Sequence, residues 1–128
     1  NKMEKILWCP QHQISADQLK DLGNIQVVEL KVLNPELFSS LSNTSSDVFE
    51  LNELADKLIA ECQSFNKIVM PIGSPAFNFV FSIKSGTKEN RNCNILFSHS
   101  VRDCQDEPQA DGSVKKIQVF KHLKFIQF

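Results

Sequence analysis

The stretch that most restricts this chain is residues 67–86, Lys-Ile-Val-Met-Pro-Ile-Gly-Ser-Pro-Ala-Phe-Asn-Phe-Val-Phe-Ser-Ile-Lys-Ser-Gly. A short apolar run, Ile68 to Ile72, breaks at Gly73. Ser74 supplies an N-cap oxygen, and Pro75 suits the first helical position, where a missing N–H is no loss. Phe77, Phe79, Val80, Phe81 and Ile83 leave little polar surface, which predicts a helix buried on most sides. Gly86 closes it at the C′ position. The pattern is a buried strand, a tight turn and a buried helix. In an open α/β sheet such a turn faces the ligand crevice, with free helix N–H groups directed into it. Ser74, Asn78, Ser82 and Ser85 fall on one face of that helix. On the stripe alone, helix capping with a satisfied buried Asn accounts for these residues better than a ligand does.

The flanking segments repeat the alternation. Lys5 to Cys9 is a short apolar run that ends at Pro10 and predicts a first strand. Ser15 with Gln18 makes a capping box for a helix over 16–22, stopped by Gly23. Residues 25–31 predict a second strand, and Asn34-Pro35 opens a short helix through Leu41. The polar linker Ser42 to Ser46 is too short for a domain boundary but could act as a mobile flap over a site. Asp47 and Glu50 then begin the clearest helix, whose apolar stripe runs from Val48 to Phe65. After the polar stretch Thr87 to Asn92, residues 93–97 predict a fourth strand. Strand and helix in turn define an α/β protein, with a Rossmann-like, mainly parallel sheet covered on both faces. All 128 residues fit one such domain.

The tail changes character. Asp111-Gly112 is a hairpin-turn dipeptide, so a C-terminal β-hairpin should run from about residue 100 into a strand from Val114 to Phe128. Simple alternation puts Ile117, Val119, Leu123 and Phe125 on one side, with Lys121 as a misfit. Lys116, Gln118, Phe120, His122 and Lys124 fall on the other, as a cationic stripe with an aromatic. Edge-strand protection by lysine explains the stripe, and so does an anion-binding or dimer-forming face.

Several polar groups should meet where the parallel strands end. Gln11 and His12 leave the first strand, Gly73 and Ser74 the third, and Ser98, His99 and Arg102 the fourth. Imidazole suits proton transfer near neutrality, and guanidinium suits phosphate. Ser98-His99-Ser100 lacks the strand–elbow packaging of a nucleophilic serine.

Bulk composition narrows the class. A net charge of −1 argues against a grip on long DNA, but a small anion needs only a local cluster of donors. The cysteines Cys9, Cys62, Cys93 and Cys104 have no metal-ligand spacing, which predicts reduced thiols in a cytoplasm. No run approaches membrane-span length, so no membrane partner is expected.

Residues 111–116 (Asp-Gly-Ser-Val-Lys-Lys), Val119 to His122 and Phe125 resemble the closing motif of small proteins associated with type III CRISPR systems. These are similar to the ring nucleases that bind or degrade cyclic oligoadenylate. His12-Gln13-Ile14-Ser15 is similar to that group's loop after the first strand. The resemblance implies a cytoplasmic, RNA-binding hydrolase of antiviral defense, without metal or cofactor, acting as a homodimer. It implies attack of a ribose 2′-hydroxyl on the neighbouring phosphate, leaving a 2′,3′-cyclic phosphate. His12 and Arg102 would be catalytic. Gln11, Gly73, Ser74, Asn78, Ser98, His99, Lys116 and His122 would bind the ligand. A non-catalytic sponge or sensor, and a structural subunit docking an acidic partner, are the alternatives.

Overall fold

The computed structural model describes residues 3–71, 73–86 and 91–128. Ile72 and Thr87 to Asn90, which fall in the predicted third strand and the polar stretch after Gly86, lie outside the described residues. Elements follow the order β1 (Lys5–Trp8), α1 (Ala16–Leu22), β2 (Gln26–Glu29), α2 (Leu30–Leu33), α3 (Pro35–Ser42) and α4 (Val48–Cys62). They continue with β3 (Lys67–Val69), α5 (Pro75–Ser85), β4 (Asn94–Pro108) and β5 (Val114–Gln127). The fold is mixed α/β. One five-stranded sheet has the order β2-β1-β3-β4-β5, parallel except for β5.

Local chemistry starts each helix. Ser15 and Gln18 form the reciprocal capping box of α1. Asn34, Asp47 and Ser74 each accept backbone N–H bonds at the starts of α3, α4 and α5. Asn34 also donates through Nδ2 to Glu61 Oε1 (2.8 Å), tying α3 to α4. Asn34→Ala should therefore lower stability by about 1 kcal/mol in a denaturant titration, the usual worth of an N-cap.

β1, β3 and the start of β4 are buried on both faces. Leu7, Cys9, Ile68, Met70 and Ile95 face α2, α3, α4 and α5 through Leu30, Leu37, Leu58, Phe77 and Phe81. Ile6, Trp8, Val69 and Leu96 face Ile14, α1's Leu22, Ile25 and Phe125. Helices thus cover both faces, heavily on one side and by α1 on the other. Cys9, Cys62 and Cys93 are buried free thiols, and Cys104 is an exposed one. Burial pushes the Cys9 thiol well above its ordinary value, which makes it an inert packing group.

Several expectations change. The segment 25–31 is not one strand: the chain turns helical at Leu30, whose fully buried side chain packs with α3 and α4. Helix α5 is buried only along Phe77 and Phe81, while Phe79 and Ile83 are 66% and 63% exposed. Phenylalanine content alone overstated its burial, because only the stripe through Phe77 and Phe81 meets the core. The fourth strand and the first hairpin strand are one continuous strand, β4.

Among the described residues only Asn94 to Leu96 of β4 pair with β3, and the rest runs out with β5 as a two-stranded ribbon. From Ser98 to Pro108 it spans roughly 35 Å at strand rise. Gly112 closes it with φ of 85°, a conformation that favours glycine. Hydrogen bonds from Ser113 hold the Asp111 carboxyl below its ordinary range. Pairing is regular until a bulge between His99 and Ser100, where His99 faces Lys124 and Ser100 faces His122. Leu123 is the extra residue. With a side-chain period of two, one extra residue exchanges the faces beyond it. Phe125 therefore shares a face with His122 and Phe120, not with Ile117 and Val119 as simple alternation predicts. Lys121 stays beside Ile117 and Val119 but is exposed, on a ribbon beyond the layered core.

Candidate functional site

His12 follows β1 and Gly73-Ser74 follow β3, and these strands pair in parallel with Trp8 beside Val69. The Cys9 N–H extends that ladder to Val69 O (3.2 Å). Ser98 lies just past the last β3–β4 pair. The two loops and Ser98 of β4 therefore lie at the same carboxyl edge.

A hollow of about 600 Å³ opens there between the end of β1, α1 and the base of the ribbon. His12, Ser98, Ser100 and His122 line it, joined by Ser15, Gln18 and Phe120. Its volume lies within the range of small-molecule sites. Phe120 is 72% exposed and carries the Arg102 guanidinium 5.5 Å above its ring centre.

At the floor is a linked polar chain. Asp21, in the last turn of α1, contacts His122 Nε2 (3.0 Å) through Oδ2. The same oxygen accepts the Phe125 N–H (3.1 Å), beside the bulge. His122 Nδ1 is 2.7 Å from Ser98 Oγ. Gln18 Nε2 donates to Ser98 Oγ (3.2 Å), and Ser100 Oγ lies 3.4 Å from it. An ionised carboxylate only accepts, so Nε2 carries a proton. In the neutral ring Nδ1 then accepts from the Ser98 hydroxyl. The buried Gln18 is held by its capping-box bond from Ser15 N–H to Oε1 (2.9 Å), which aims its Nε2 at Ser98.

His12 is fixed from below. Trp8 Nε1 donates to the His12 carbonyl (3.0 Å), and the two rings meet edge to face. Trp8 also touches Phe125, which packs on His122. Both imidazoles thus rest on one aromatic chain.

The other predicted site residues are dispersed. Gln11 and Gly73 line a neighbouring hollow of about 260 Å³ with Cys9, Leu41 and Ser42, and His12 borders both hollows. Ser74 Oγ is committed to the Phe77 N–H (3.2 Å). Asn78 Nδ2 binds the Pro71 carbonyl (3.2 Å). His99 faces Lys124 on the opposite side of the ribbon from Ser98 and Ser100. Lys116 is cross-strand to Asp106, about 13 Å from Phe120 at strand rise. Among the described residues, no group of three or more His, Cys, Asp or Glu side chains converges as a metal site. No helix among them is long and apolar enough to cross a membrane.

Asp21 and Gln18 escaped the sequence reading. Gln18 was legible only as a cap, although its spacing of three from Asp21 puts both on one helix face. Phe120 did carry a signal, an aromatic within a polar stripe.

The fold and site define an α/β protein with a polar cleft at the carboxyl edge of a mainly parallel sheet. By sequence, the chain matches the uncharacterized protein MJ1673 family over residues 4–126 and belongs to that family. No curated protein and no solved structure matches it.

Proposed function

We propose that the protein binds cyclic oligoadenylate, with cyclic tetra-adenylate as the ring of choice, and opens it by attack of a ribose 2′-hydroxyl. In that role it switches off type III CRISPR antiviral signalling. The observation that carries the reading is the hollow lined by two imidazoles and three serines beneath an exposed phenylalanine. Phe120 offers a stacking face to an adenine, the usual way unpaired bases are held. Arg102, poised over Phe120, takes phosphate charge, and His12 is the acid–base imidazole at the reacting phosphate. One hollow accommodates only part of a four-phosphate ring, so a two-fold dimer presenting two hollows completes the site.

The deciding experiment is incubation with radiolabelled cyclic tetra-adenylate in EDTA, followed by native gel and chromatography. Linear product ending in a cyclic phosphate supports cleavage. An intact but shifted ring reduces the function to sequestration. If neither is seen, the ring is not the ligand and the reading as a structural subunit stands. Arg102→Ala should weaken binding and flatten its salt dependence by about one phosphate contact. Lys116→Ala, near the ribbon tip, should do so only if the ring or the partner subunit reaches that far. Unchanged affinity in both variants would remove the ribbon from the site.

A further inference from the structure

Resting on the cleavage reading above, we infer that Ser98 is the group that takes the 2′-hydroxyl proton, and that His122 and Asp21 act through it as positioning residues. His122 is not free to meet a substrate. Its side chain is 5% exposed and both ring nitrogens are engaged, Nδ1 by Ser98 and Nε2 by Asp21. Ser98 lines the hollow together with His122, Gln18 and Ser100, and it is the hydroxyl bonded directly to His122. Its oxygen receives the Gln18 amide and its proton is directed to His122, while its second lone pair meets only the long 3.4 Å contact from Ser100 Oγ, which an incoming hydroxyl would displace. The Ser98 hydroxyl is thus a relay with an acceptor already in place behind it.

The step balances without an external reagent. The 2′-oxygen forms a bond to phosphorus as its proton passes to Ser98 Oγ. The Ser98 proton moves to His122 Nδ1, and the Asp21 carboxylate faces the resulting imidazolium. The phosphorus–O5′ bond breaks, and His12, on the same hollow, protonates the departing O5′. The products are a 2′,3′-cyclic phosphate and a 5′-hydroxyl. Asp21 is itself held by the Phe125 N–H, so the bulge in β5 builds the relay.

The test is single-turnover cleavage of radiolabelled cyclic tetra-adenylate at saturating protein, with affinity measured separately. Ser98→Ala should slow the chemical step by about a hundredfold with affinity changed only a few-fold. Ser98→Thr, which keeps a hydroxyl, should recover most of that rate. Asp21→Asn should slow it at least about tenfold. Nitrogen NMR of His122 should report the proton on Nε2 in the wild type and its loss or redistribution in Asp21→Asn. Wild-type protein that leaves the ring whole overturns the cleavage reading itself. Wild-type cleavage with undiminished rates in Ser98→Ala and Asp21→Asn overturns the relay alone.

Discussion

Trp8→Ala is expected to cost about 3–5 kcal/mol of stability, the usual range for removing a large buried aromatic. Trp8 is buried on the α1 side of the sheet, against Ile6, Val69 and Leu96. Its removal leaves a cavity bordered by rigid strand backbone on one side, which cannot collapse freely. It also takes away the donor to the His12 carbonyl and the edge contacts to the His12 and Phe125 rings. The midpoint of a urea titration followed by circular dichroism should fall with little change in slope. Trp8→Phe should restore much of the stability but not the hydrogen bond. If His12 depends on that bond for its place, Trp8→Phe will lose cleavage out of proportion to stability. An unmoved midpoint in Trp8→Ala would mean that this face of the sheet does not depend on Trp8 packing.

His12→Ala has the largest expected effect on chemistry. General acid–base help contributes about 10²–10⁴ in rate, so single-turnover cleavage at saturation should fall at least about a hundredfold. Binding should survive, because the stacking face and the Ser98 cluster are untouched. The outcome separates two roles. A proton-transfer group lowers the rate of the bound complex, whereas a simple contact to base or phosphate lowers affinity and spares that rate. His12 sits in a loop, with Pro10 close behind and Trp8 beneath, so its replacement should cost little stability. Wild-type rates in this variant would end its assignment.

Much of the fold was legible because its signals are local. A side-chain oxygen at Ser15, Asn34, Asp47 or Ser74 caps a helix only if the next residues turn, so sequence and structure agree at all four. The same holds for the Asp111-Gly112 turn, where Gly112 adopts the positive φ it was expected to supply. Parallel topology followed from alternating periods, and topology alone put His12, Gly73 and Ser98 at one edge.

Tertiary structure decided the rest. Whether Leu30 would extend a strand or begin a helix depended on the buried contacts it makes with α3 and α4, invisible from its neighbours. That Phe125 joins the face of His122 was set by a bulge opposite His99 and Ser100, where β4 and β5 leave the sheet. One unpaired residue reverses a period of two, and no residue type in that segment announces it. Asp21 and His122 lie 101 positions apart in the chain and meet only because α1 packs on β5. The chain by itself therefore determined its elements, whose hydrogen bonds close within a few residues. The polar site required the fold, since its partners come from separate elements and carry no sign of one another.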